Sequence, residues 1–343
     1  DEKDSVYQIK ISRHGPIMND LIEHVDDKRP MAMQWIYTKL NNELLEVGYD
    51  LSHSKSLADF KNGAKKLHAP GLNIMYGDAK NNIAWFASGR LYKYREGVNT
   101  KTVLDGASGN DEILEYFTFD ENPQAINPSL NYVYSANNQP DSIKNGLYPG
   151  YYLPEDRAKR IVNLLEAKND FTKEDVASMI YDVTSASVTT NIINLESGID
   201  TKNLSPSEKL SLDYLKKWNG FYGKKEIAPT IYNRFIYEVL AATYKDEMGK
   251  SFKQFINTPY QDKAFAEQIV KEESVWWDNV KTGKIKETRT EIISTSYKKA
   301  IAFLGNQLGE NVENWTWDRV ISVEYPHALG KVSALRKYFN VGP

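Results

Sequence analysis

Asn73-Ile74-Met75-Tyr76-Gly77-Asp78-Ala79-Lys80-Asn81-Asn82-Ile83-Ala84-Trp85-Phe86-Ala87-Ser88-Gly89 is the stretch on which the fold reading turns. Asn73 to Asp78 and Asn82 to Gly89 are strand-like runs, and Ala79-Lys80-Asn81 between them is a short polar turn, so the stretch predicts a β-hairpin. Upstream, Tyr7 to Ile11 alternates with period two and meets Ser12-Arg13-His14-Gly15-Pro16-Ile17, where Gly and Pro break a ladder: strand, turn, strand. Apolar residues at helical spacing predict helices over Met31 to Glu46 and Ser56 to Leu67. Downstream, Leu104 to Leu130 is rich in Gly, Asp, Asn and Pro and predicts a long ordered loop, followed by a strand over Tyr132 to Ser135 that delivers Ala136-Asn137-Asn138.

After Pro154 the pattern becomes helical. Helices are expected over Asp156 to Ala167, after the Thr172-Lys173-Glu174-Asp175 box and after Ser205-Pro206-Ser207-Glu208, an N-cap serine with Pro at the first position and Glu at the third. Three more are expected over Ile231 to Tyr244, Gln261 to Val280 and Ile293 to Leu308, with strand-like alternation returning from Trp315 to Val323. The reading is an α+β protein in three parts: β-rich 1–154, helical 155–310, and a return toward the core over 311–343.

A length of 343 residues fits about two domains. Apolar residues at 41% and charged residues at 26% are the balance of a globular protein. Lys and Arg total 43 against 46 Asp and Glu, a net charge of −3, so no basic field is available for a phosphate backbone and nucleic acid is not an expected partner. No apolar run is long enough to span a bilayer. The absence of cysteine removes disulfides, thiolate nucleophiles and cysteine metal sites together.

Arg13-His14-Gly15 opens like a histidine-phosphatase signature, but Ile17 stands where a second Arg is needed, and no later His precedes an acidic residue. A structural histidine beside a turn is the favoured role for His14. The five histidines are scattered, which argues against a zinc site, and neither Gly-x-Ser-x-Gly nor Gly-x-Gly-x-x-Gly occurs. Asn137 stands apart from these. Its amide is a neutral donor that can be aimed at a developing oxyanion, and Arg157 follows 20 residues later at a helix start. The alternatives are an Asx turn for Asn137 and an exposed pairing of Arg157 with Glu155 or Asp156.

Seven segments, in this order, resemble the β chain of the penicillin acylase family of N-terminal-nucleophile hydrolases. They are Arg13-His14-Gly15-Pro16-Ile17, Met33-Gln34-Trp35, Ala58-Asp59-Phe60, the hairpin from Asn73 to Trp85, Asn127-Pro128, Ser135-Ala136-Asn137-Asn138, and Asp156-Arg157-Ala158-Lys159-Arg160-Ile161. They span most of 7–165, with Trp315 to Phe339 a fainter match. The resemblance implies a partial αββα sandwich with a large helical region. It implies amide hydrolysis through an acyl-enzyme on an N-terminal Ser whose α-amino group serves as base. It places Asn137 in the oxyanion hole and Arg157 in support of the site. Trp35 and Leu72 fall where the family lines its acyl pocket, with core packing as the alternative.

The family β chain begins with Ser after a Gly, whereas this sequence begins with Asp1 and contains no Gly-Ser dipeptide; Ser5 precedes Val6 immediately before the first matching strand. The expectation is therefore a fragment from the middle of a β chain, with no nucleophile and no catalytic metal of its own, and inactive alone. No cofactor is required for the chemistry; structural calcium is allowed in the parent, but Leu147-Tyr148-Pro149 offers no carboxylate ligand. The implied partners are a small-molecule N-acyl amide, of the penicillin or acyl-homoserine lactone type, and the remaining α- and β-chain segments, in a periplasmic or secreted setting. Apolar surface where those segments would pack should favour self-association. The other classes kept are a non-catalytic binding protein on the same scaffold and the phosphatase.

Overall fold

The computed structural model describes residues 6–22, 28–140 and 150–342. Asp1, Ser5, His24 and Leu147-Tyr148-Pro149 lie outside them. The chain forms two compact units, Asp1–Tyr152 and Leu153–Pro343.

The hairpin organises the first unit. Strands β1 (Leu72–Gly77) and β2 (Ile83–Ser88) pair antiparallel with Leu72 opposite Ser88 and Gly77 opposite Ile83. Asp78 builds the turn, because its carboxylate accepts from the backbone N–H groups of Lys80 (2.8 Å) and Asn82 (3.0 Å), the Asn82 amide (2.9 Å) and the Tyr76 hydroxyl (2.9 Å). These donors, the Asn82 side chain foremost, hold the Asp78 carboxyl down at about 2. Helices α1 (Leu44–His53) and α2 (Leu57–Lys65) pack on each other, and α2 also lies against β1 and β2. Ser56 caps α2 by accepting from Asp59 N at 3.1 Å. Val47, Ala64, Leu67, Ala84 and Phe86 form the buried centre, with the Phe60 ring 5.0 Å from Tyr76 and 6.5 Å from Phe86.

Several expectations fail here, each for a physical reason. Tyr7 to Ile11 is not a strand: Tyr7, Ile9 and Ile11 are exposed, and among the described residues this region forms only the isolated bridges Ile11–Pro16 and Ile17–Ala32. The helix expected over Met31 to Glu46 is a single 3-10 turn, Ile36–Thr38, with α1 starting at Leu44. Residues 31–33 are drawn out by pairing with 16–18, Met18 N donating to Met31 O (2.8 Å) and Met33 N to Pro16 O (2.9 Å), and the chain before α1 is tied at Asn42, whose side chain accepts Ala69 N at 3.0 Å. The loop 104–130 contains strand β4 (Glu115–Tyr116), paired with β3 (Tyr92–Lys93), and strand β5 (Gln124–Ile126), which joins β2. These strands are too short to show a period. Tyr132 to Ser135 pairs with no strand among the described residues.

The second unit is helical: α3 (Asp156–Leu165), α4 (Lys173–Ile180), α5 (Val188–Glu196), α6 (Pro206–Lys217), α7 (Ala228–Met248), α8 (Phe252–Phe255), α9 (Tyr260–Ile269), α10 (Arg289–Leu308) and α11 (Arg336–Phe339). The helix starts expected at Thr172 and Ser205 carry reciprocal capping boxes, and Thr288 with Glu291 forms a third at α10. The single helix expected over Gln261 to Val280 is instead α9 followed by a 3-10 turn capped by Ser274. Trp315 to Val323 is likewise a 3-10 turn, Trp317–Arg319, rather than a strand. Helix α7 runs through the core and packs against α10, with the Phe235 and Tyr297 rings edge to face at 5.1 Å.

Arg289 is only 4% exposed, at the first position of α10, where the helix dipole disfavours a cation. It is held because it serves the C-terminal ends of two other helices. Nε donates to Ile269 O (2.8 Å) at the end of α9, and Nη2 donates to Asn194 O (2.5 Å) and Ser197 Oγ (3.0 Å) at the end of α5. Arg289→Ala should lower stability by about 3 kcal/mol, and Arg289→Lys should recover little because an ammonium cannot fork to both ends. Denaturant midpoints of the two variants check this.

Asp78 yields a pH test. Its folded value of about 2 lies below the unfolded value of about 3.9. Its stabilisation is thus complete above the upper value and lost as pH falls from about 4 to about 2. Asp78→Asn should flatten the fall of the melting temperature across that window relative to the unaltered protein.

Candidate active site

Asn137 sits on a turn that the sequence builds from Ser135 to Asn138. Ala136 is buried and anchors it; Asn138 Oδ1 accepts Ala136 N at 3.2 Å, and Asn137 N donates to Ser135 Oγ at 3.4 Å. Asn137 is exposed and has φ +61, the left-handed region that asparagine tolerates better than other side-chain-bearing residues. The neighbouring Asn138 thus takes the local turn-building role.

Trp35 and Leu72 belong to the same unit and are 48% and 49% exposed, so neither is core. Trp35 precedes the 3-10 turn and lies against Tyr37 at 4.9 Å; Leu72 opens β1 opposite Ser88.

Arg157 belongs to the second unit, at the second position of α3, and is exposed. Its neighbours on the helix are anchored to the segment 182–187. Asp156 Oδ1 accepts from Ser185 Oγ (2.8 Å) and Ser187 N (2.7 Å). Arg160 forks onto Asp182 at 2.9 and 2.6 Å, and Asp182 also accepts Thr184 N at 3.0 Å. The fork holds the Asp182 carboxyl below its ordinary value. Burial pushes Tyr222 up to about 12, the Asp156 charge adding to it, and raises Tyr232, whose hydroxyl accepts from the Asn191 amide at 2.9 Å; both are neutral phenols at ordinary pH. The sequence reading missed the roles of Asp156, Arg160 and Asp182. The available signal was the spacing of Asp156 and Arg160, four apart on one helix face beside Arg157.

The phosphatase constellation is not assembled. Arg13 Nη2 donates to Glu112 Oε1 (2.5 Å) and Gly106 O (3.1 Å), and His14 Nε2 lies 3.1 Å from Gly106 O. Both side chains are spent on fastening the turn to the 106–112 loop. Gly15 is required there: at φ +148, an added Cβ would stand 2.1 Å from Met33 O.

Among the described residues no three His, Asp or Glu side chains converge as a metal-binding group, so no calcium ligands are assigned. No helix among them is long and apolar enough to cross a membrane.

An α+β chain with a small antiparallel sheet, a helical unit and an exposed Asn137 fits the N-terminal-nucleophile hydrolase class. The penicillin amidase family matches residues 1–343, and the chain belongs to that family of amide hydrolases. The acyl-homoserine lactone acylase QuiP of Pseudomonas aeruginosa is 23% identical, over 97% of this chain and 43% of its own length. QuiP of Pseudomonas fluorescens strain Pf0-1 is 25% identical, over 96% and 42%. The chain thus spans about two fifths of the length of these curated relatives. A thermostable penicillin G acylase from Alcaligenes faecalis shares the fold, with a TM-score of 0.60 and 16% identity over 90% of this chain and 59% of that one.

His14→Ala should lower stability by about 1 kcal/mol through its lost backbone contact, and Gly15→Ala by clearly more. Thermal melts that ranked the two the other way would contradict the structural assignment of this turn.

Proposed function

We propose that this chain is part of an amidase that cleaves N-acyl amides, with N-acyl homoserine lactones the favoured class and aromatic-acetyl amides of the penicillin type the second. The observation that carries the proposal is the family match along the whole chain, within which Asn137 is exposed on a turn held by Ser135 and Asn138.

In this reading the nucleophile is an N-terminal Ser supplied by polypeptide other than these 343 residues. The sequence given offers no Gly-Ser dipeptide for its release, so this chain alone is inactive. The Ser Oγ attacks the amide carbon while its α-amino group, with a reference pKa of ~8, takes the proton. The Asn137 amide N–H and a backbone N–H hold the oxyanion; the amine departs with the proton, and water then releases the acyl group. Arg157 supports this machinery, and Trp35 and Leu72 line the acyl pocket. The half-exposed Met75, paired with Trp85 on the face of the small sheet opposite the buried Ala84 and Phe86, supports a further role for that face in packing against the remaining α- and β-chain segments. The setting is periplasmic or secreted. The chemistry requires no cofactor, and any calcium would be structural.

The test is hydrolysis by the full-length protein, followed as released homoserine lactone or phenylacetate. Asn137→Ala should lower kcat by about 100- to 1000-fold with KM little changed, as expected for a donor used in the transition state. Normal turnover in that variant would remove the oxyanion assignment. A full-length protein that binds acyl amides without cleaving them would instead favour the binding-protein reading.

A further inference from the structure

We propose that Asp156 is a positioning residue for Arg157: together with Arg160 it fixes how the first turn of α3 presents that guanidinium. The proposal rests on the amidase reading above. Asp156 and Arg160 stand four residues apart, on one face of α3 and about one turn along its axis. Each crosses to the same short segment. Asp156 takes two hydrogen bonds from Ser185 and Ser187, and Arg160 makes two to Asp182. A helix gripped at one point can pivot about it; a second grip one turn along removes that pivoting, and the buried Ala158 on the same turn opposes the rotation that two grips leave. Arg157 is the next residue after Asp156, turned about 100° from it, so the direction in which its side chain leaves the helix follows from these contacts.

The gripping segment is itself tied to the core. Ser185 N donates to Gly220 O at 2.9 Å, and Tyr222 N donates to Val183 O at 3.0 Å. Gly220, at φ +90, comes so close that a Cβ there would stand 2.3 Å from Ser185 O. The buried Trp218 holds that turn by donating from its indole N–H to Phe221 O at 2.8 Å. An unbroken path therefore runs from the core through 220–222 and 182–187 to the helix start. The Asp156 oxygens act in it as acceptors. An Asn side chain offers one oxygen able to accept both bonds, so the geometry does not require the negative charge.

The experiment measures kcat, KM and melting temperature in the full-length enzyme for D156A, D156N, R157A and the double variant D156A/R157A, with rates normalised to folded protein. D156A should lose about 100-fold in kcat, the scale of a slightly misplaced catalytic group, and D156N should retain most of the activity. The double variant should be no slower than R157A alone, because a residue acting through Arg157 has nothing left to act on. A purely structural role would add its own loss to that of R157A and overturns the proposal. D156A at full activity beside an impaired R157A also overturns it, while leaving the amidase reading in place. R157A with normal turnover overturns it together with the Arg157 assignment on which it depends. Where D156A folds poorly, S185A, which removes one of the two bonds, should show a smaller kcat loss at unchanged melting temperature; unchanged kcat there counts against the proposal.

Discussion

A backbone N–H or C=O taken out of water must find a partner, and where helices and ladders stop this protein meets that requirement at key points with side chains. In the first unit the ladders are short, so Asn and Asp stand in for missing strands. Asn122 donates to the carbonyls of Ala87 and Gly89, Asn127 accepts Ile83 N where β2 begins, and Asn42 takes Ala69 N. In the second unit the Arg289 guanidinium does the same for the ends of two helices at once. Each contact joins residues far apart in sequence, so the shape of each unit depends on a few polar side chains as much as on its apolar centre.

The same logic holds beside the two proposed residues, each within its own unit. Asn138 is used internally to hold the turn that carries the exposed Asn137, and Asp156 and Arg160 are used internally to hold α3, which carries the exposed Arg157. In each unit a polar residue next to the proposed one does the structural work, and in the proposed reading the precision that an amide or guanidinium needs comes from such neighbours.

What the sequence disclosed follows from how local each signal is. The β1–β2 hairpin and the starts of α2, α4 and α6 were legible because turn residues and caps act within three or four positions. β5 was hidden because three residues carry no period, and the helix expected over Met31 to Glu46 failed because the pairing of 31–33 with 16–18 cannot be seen locally. The resemblance singled out Asn137 and Arg157 as candidates. The anchoring of the helix start beside Arg157 was not legible, because the partners of Asp156 lie about thirty residues further along the chain.

The reciprocal caps at Thr172, Ser205 and Thr288 bear on how such a chain can diverge. A helix start fixed by two residues three apart keeps its register whatever happens to the positions between and beyond them, provided the apolar face survives. Drift can then replace most of the solvent-facing sequence without sliding one helix past another. In evolutionary terms the caps work as fixed reference marks, allowing a scaffold to remain superimposable after most of its sequence has changed.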